Sequence, residues 1–200
     1  MNIISTISSQ IEKCEFRLPP IVIRVNKFDE ESAREFSQQL SAANSTGQPV
    51  APVIIDSYGG QIYSLMSMMD AINGSKIPVA TIVEGKAMSC GAALLTCGAK
   101  GMRYASPNST IMIHEASNVL EGKTEELKSV SAHTDKMNQK MLKIMSKNIE
   151  KDEDYFSLLL KTKNNADWFI SPTEAQKLKI VNHVRLPTFT VDVKVTYDFK

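Results

Sequence analysis

No stretch of this chain stays apolar for the roughly 18 residues a membrane-spanning helix requires, because Glu84 and Lys86 interrupt its most hydrophobic reach, Ile77 to Ala99. A soluble chain is expected. Charge of one sign is equally scarce: 23 Lys and Arg stand against 22 Asp and Glu, a formal net charge of +1. No global field therefore directs the protein toward nucleic acid or an anionic membrane. Cysteine is sparse and odd in number, with Cys14, Cys90 and Cys97 lacking any C-x-x-C spacing. That fits neither a disulfide framework nor a zinc site and predicts free thiols in a reducing compartment. The opening Met1 to Ser9 has no positive start, long apolar middle or small-residue cleavage site, so a cytoplasmic location is expected. Internal repeats, low-complexity tracts and disordered linkers are missing too, and a single domain over residues 1–200 is the expectation.

What is there alternates between strand and helix. Ile21 to Val25 reads as a strand, and Asp29 is placed to cap a helix over Glu30 to Ala43. Pro52 to Ile55 is a second strand, followed by the turn Ser57-Tyr58-Gly59-Gly60 and a helix from Gln61 to Ile72. Pro78 to Val83 is a third, followed by a small-residue helix from Cys90 to Ala99. Successive strand-helix units imply right-handed crossovers and parallel strands, an α/β fold. Arg103 to Ala105 and Thr110 to Ile113 are short strands, and His114 stands where the second ends.

The later half is more polar. Thr124 to Ile149 predicts one long helix with Leu127, Val130, Thr134, Met137, Met141, Ile144 and Asn148 spaced alternately three and four apart. Such a seam suits either the chain's own core or another subunit. A helix over Asp152 to Lys163 follows, then Asp167, just before the capping box Ser171-Pro172-Thr173-Glu174. Alternation of Phe189, Val191, Val193, Val195 and Tyr197 predicts a half-buried strand over 188–197.

Asp56 to Gly60, Gly85 to Gly91 and Met112 to His114 each lie at the end of a strand, and strand ends in a parallel sheet gather along one edge. Ser89 there precedes a helix whose free N–H groups and positive dipole end favour a developing oxyanion. The Cys90 N–H supplies one half of an oxyanion hole and Gly60 the other, since a glycine pair, Gly59-Gly60, lets an amide turn into a cleft. Alone, Ser89 reads as an ordinary helix N-cap. A serine hydroxyl needs a base to become nucleophilic, and His114 alone of the three histidines follows a buried strand. His133 lies mid-helix and His183 in a late loop.

Taken together, Ser57-Tyr58-Gly59-Gly60, Gly85 to Gly91, Ala99-Lys100-Gly101-Met102-Arg103, Pro107-Asn108 and Met112-Ile113-His114 resemble, in order and spacing, the proteolytic subunits of the Clp protease family. The likeness extends to Asp167-Trp168-Phe169-Ile170-Ser171 and Glu174-Ala175, where that family carries its acid. It implies a crotonase-like fold of stacked βαβ units with a protruding handle helix, here 124–149. It also implies a Ser89-His114-Asp167 triad hydrolysing peptide bonds of unfolded polypeptides through an acyl-enzyme, without metal or organic cofactor. Assembly into homo-oligomeric, heptameric rings and docking of an AAA+ unfoldase follow from the same likeness. Asp135 and Asp152 are rivals of Asp167.

Several positions depart from the family pattern. Tyr58 replaces the loop proline, which loosens the turn and puts an aromatic near the expected substrate groove, where Tyr58 and Gly59 are the expected substrate-binding residues. Glu115-Ala116 replaces Gln-Pro after the histidine, Lys179 to Asn182 replaces Gly-Leu-Val-Asp, and 1–17 does not match the segment that meets the ATPase. Three other readings stay open: an inactive structural subunit, a crotonase-type acyl-CoA enzyme, and Cys90 as nucleophile with its thiol pKa depressed by the helix end.

Overall fold

The structure, a computed structural model, describes residues 20–115, 123–164 and 166–188. Cys14, the divergent segment 1–17 and, past Thr188, the expected tail strand lie outside them. Strand β1 (Ile23–Val25) leads to helix α1 (Glu30–Ala43), capped by Asp29, whose carboxylate accepts the Ser32 N–H at 2.8 Å. That hydrogen bond, with the Lys27 ammonium beside it, lowers the Asp29 pKa to about 2. Strand β2 (Ala51–Ser57), helix α2 (Ile62–Asn73), strand β3 (Val79–Met88) and helix α3 (Cys90–Thr96) follow. The chain continues through β4 (Arg103–Ala105), β5 (Thr110–Ile113), α4 (Thr124–Asn148), α5 (Tyr155–Thr162), β6 (Trp168–Ile170), α6 (Pro172–Lys177) and β7 (His183–Val184).

Strands β1, β2, β3, β4 and β7 lie side by side, all parallel, as the strand-helix repeats predict. A parallel sheet covered by helices reads as continuous apolar runs, and Ala51–Ile55 and Val79–Val83 are buried throughout. From the helices, Phe36, Leu40, Leu65, Met68, Leu94 and Leu95 join the same hydrophobic cluster.

The third strand differs most from its expectation. It runs on to Met88 instead of stopping at Val83, because it changes partners: Thr81–Val83 pair with β4, and Lys86–Met88 pair with β5. Its charged residues, which look like a strand end in sequence, are paired at the sheet rim. Glu84 accepts from Arg24 at 3.2 Å, and Lys86 donates to Asp56 at 2.7 Å. Strand β5 pairs on its other side with β6, antiparallel. The split of β3 between two neighbours thus carries its last residues, and whatever follows them, to β5 and β6.

Helix α3 stops at Thr96, shorter than expected, with the Cys97 N–H returning to Leu94 and Leu95. Just beyond it Arg103, a buried residue, donates through its guanidinium to the carbonyls of Gly98, Asn148, Lys179 and Ile180. One side chain thereby satisfies the ends of α3 and α4 and the loop after α6. Arg103→Met should lower unfolding free energy by about 3 kcal/mol, since a thioether donates nothing to those carbonyls. Urea denaturation checks this; a midpoint unchanged from wild type would show the staple to be dispensable.

The core reading of the α4 seam holds for one end of the helix. Its C-terminal part buries Met141, Leu142 and Met145 in the chain's own core, whereas its first four turns stay exposed or half-buried. Helix α5 begins at Tyr155, after Asp152–Asp154, and α6 opens at Ser171, whose hydroxyl accepts the Glu174 N–H at 3.2 Å. Among the described residues no helix is long and apolar enough to cross a membrane.

Candidate active site

Ser89 is the single residue between β3 and α3, with φ 55° and ψ −119°. A non-glycine residue at that angle is strained by roughly 1–3 kcal/mol and persists only where its surroundings enforce it. Here the Ser89 N–H is held by the Met112 carbonyl at 2.9 Å, and its own carbonyl accepts the Ala93 N–H at 3.1 Å. The side chain makes no capping bond, so Ser89 occupies the N-cap position without serving as a cap. A sharp strand-to-helix turn of this kind presents a hydroxyl above the sheet edge.

His114 and Asp167 are brought together by register. In the antiparallel β5–β6 pair Ile113 faces Trp168, so the residue after one and the residue before the other stand opposite each other. Those residues are His114 and Asp167. Nδ1 of the imidazole lies 3.6 Å from Oδ1 of the carboxylate, an ion-pair separation longer than a hydrogen bond. The histidine side chain is 21% exposed and the aspartate 57%. Strand β5 also flanks β3, with Met112 beside Met88, which places the turn bearing Ser89 next to the end of β5. Among the described residues no hydrogen bond joins the Ser89 hydroxyl to the His114 ring or ties Asp135 or Asp152 to it.

The glycine turn reaches the same place from β2, whose register against β3 shifts between Ile55 and Ser57. Such an irregularity re-aims the chain at a strand end. Gly59 packs so closely on the serine that a Cβ there would sit 2.7 Å from Ser89 Cβ. The Gly59 N–H donates to Ser57 Oγ at 3.1 Å and the Gln61 N–H to the Phe28 carbonyl at 2.8 Å. Of the three successive amides, Gly60 is left without an internal partner among the described residues. The Cys90 N–H opens α3 and is one of the donors a helix start leaves unpaired.

Cys90 itself is buried, and its Sγ donates to the Gly60 carbonyl at 3.3 Å. Burial pushes the thiol pKa up, above its ordinary value, against the Gly60 and Ser89 hydrogen bonds. The expectation of a depressed Cys90 pKa is therefore corrected: desolvation outweighs the helix end, and the thiolate that a cysteine nucleophile needs is disfavoured. Cys97 is pushed up to about 12 by burial, and both thiols are free.

Ser89, His114, Gly60 and Cys90 share the lining of one cavity of about 770 Å³. Tyr58, 74% exposed, stands at its edge with the Lys86 ammonium 4.3 Å from its ring centre, the same Lys86 that Asp56 anchors. The opposite wall comes from α4: Val130, Thr134, Met137 and Met141, four members of the sequence seam, face the cavity. Reading that seam as core or subunit contact missed this third use. Tyr63 and His133 also line it, and neither was singled out from sequence, because a mid-helix histidine gains meaning only once α4 is laid beside α2. His183 stacks on Tyr104, 4.8 Å between ring centres, away from this cavity.

A strained serine between strand and helix, with a strand-end histidine and a carboxylate opposite that histidine, is the arrangement of an α/β chain with a serine-centred site. Comparison with known proteins makes the class specific. Residues 16–187 match the family described as Clp protease. The chain belongs to that family, and its fold is the crotonase-like one. It is similar to the ATP-dependent Clp protease proteolytic subunit of Deinococcus radiodurans, 36% identical over 126 residues, 63% of this chain and 60% of that protein. The match thus spans less than two thirds of the relative's length.

Proposed function

We propose that this chain is a serine peptidase that cleaves peptide bonds through an acyl-enzyme, with Ser89 as nucleophile, His114 as general base and Asp167 as the acid that orients it. The observation that carries the reading is the register of β3, β5 and β6, which brings three residues distant in sequence to adjoining strand ends. Family membership and the similarity to a Clp proteolytic subunit support the same conclusion.

His114 takes the Ser89 proton as Oγ attacks the carbonyl carbon, and the carbonyl oxygen gains the charge. The Gly60 and Cys90 amides receive that oxyanion in a site whose donors need no reorganisation. Collapse expels the amine, which takes the proton from His114; water, activated by the same ring, then releases the acyl group. The Ser89–His114 bond closes in the substrate complex, as catalytic hydrogen bonds loose in a free enzyme commonly do. Asp167 keeps Nδ1 protonated, leaving Nε2 to act as base. Unfolded polypeptides are the substrates, ring assembly encloses the sites, and an unfolding ATPase of the AAA+ class feeds them.

Incubation with a biotinylated fluorophosphonate, followed by peptide mapping, is expected to place the label on Ser89. An intact, assembled protein that stays unlabelled would instead mark a structural subunit, and labelling at another serine would overturn the assignment.

A further inference from the structure

Two exposed rings meet across the mouth of the cavity. Tyr63, in the first turn of α2, places its hydroxyl 2.5 Å from Nε2 of His133 on α4. The rings stack with 6.2 Å between centres and 20° between planes. Tyr63 is 63% exposed, and a hydrogen bond so open to water adds little to stability. Holding two long side chains together has an entropic cost, so a role in shaping the cavity accounts for the pair better than a role in folding does.

The position of His133 on its helix is informative. Helix α4 is anchored in the core from Met141 onward, and His133 lies about two turns, roughly 12 Å, before that residue. Between and around them Val130, Met137 and Met141 turn apolar surface to the cavity that Ser89 also lines. Near the exposed end of that wall the Tyr63–His133 hydrogen bond ties α4 to α2. Both rings line the cavity themselves.

The geometry points to Tyr63 and His133 as positioning residues, a clasp that pins the exposed half of α4 as the apolar wall of the pocket for the substrate side chain just before the scissile bond. The inference rests on the peptidase reading above and adds to it which contact sets the preference. A large apolar side chain, leucine or methionine, gains from a wall held in place, whereas alanine is too short to reach it. The pinned wall acts on substrate and transition state alike, so its loss is read mainly in KM.

Two peptides that differ only in leucine or alanine before the cleaved bond test this with the full chain. Tyr63→Phe removes the hydroxyl and keeps the ring; His133→Ala removes the partner. In both, the leucine-to-alanine ratio of kcat/KM should fall about fivefold, the effect of losing roughly 40 Å² of apolar contact. The loss should come through KM of the leucine peptide, with kcat moving less, and His133→Gln, which can still hydrogen-bond Tyr63, should restore most of it. An unchanged ratio in Tyr63→Phe and His133→Ala, with Ser89 still labelled by fluorophosphonate, would overturn the clasp alone. A wild-type protein that hydrolyses neither peptide and takes no label would overturn the peptidase reading and the clasp with it.

Discussion

Hydrolysis of a fluorogenic peptide should fall on the order of 10⁶-fold in Ser89→Ala and equally in His114→Ala, with assembly retained in both. The two losses match because nucleophile and base act as one unit: without the ring the hydroxyl keeps its proton, and without the hydroxyl the ring has none to take. Asp167→Asn should cost less, no more than roughly 10⁴-fold. Its carboxylate is 57% exposed and 3.6 Å from Nδ1, so solvent screens the hold it would have on the imidazole. Steady-state rates, with sedimentation velocity on the same samples, give both readouts. Equal turnover in wild type, Ser89→Ala and His114→Ala would remove the assigned roles; a larger loss in Asp167→Asn than in His114→Ala would place the base elsewhere.

How far the proposed site could be read from the chain alone depends on the distance over which the surroundings of each residue are encoded. The residues on either side of Ser89 and His114 announce them, because a turn before a small-residue helix and a histidine closing an apolar strand are local patterns. Asp167 is visible as a residue before a capping box, but what matters is the strand that follows it. Trp168–Ile170 is three residues long with only its ends buried, too short for alternation to stand out, and its partner lies more than fifty residues earlier. The continuation of β3 past Val83 is illegible for a related reason. Glu84-Gly85-Lys86 resembles a strand end until Arg24 and Asp56, from two other strands, are there to pair the charges. Likewise the positive φ of Ser89 follows from what grips its backbone, the carbonyl of Met112 and the turn of α3, rather than from any preference of serine.

The Cys90 pKa and the clasp share that origin. A helix end beside a thiol is a local feature and argues for a lowered pKa; burial is a property of the finished core and argues the other way, and it wins. The seam of α4 is local, whereas the surface it meets is fixed by α2 and by the glycine turn before it.

That turn gives the other large effect. Gly59 has φ +107°, and a methyl group added there would stand 2.7 Å from Ser89 Cβ, 3.0 Å from the Met88 carbonyl and 3.2 Å from Ser89 Oγ. Neither neighbour can yield cheaply: the serine is already strained, and the carbonyl belongs to a strand bound to β5. The turn must therefore withdraw or Ser89 must rotate, and a shift of about 1 Å at a reacting group costs on the order of 10²-fold in rate. Gly59→Ala should accordingly lower kcat/KM by at least about 10²-fold while the protein remains folded. Gly101→Ala separates this clash from backbone strain, since Gly101 has φ +81° with nothing within 4 Å of an added Cβ. That variant should lose about 1 kcal/mol of stability and keep wild-type turnover. Peptide hydrolysis and thermal unfolding on both proteins decide the matter: a Gly59→Ala enzyme as fast as Gly101→Ala would mean that the serine does not depend on the glycine turn packed against it.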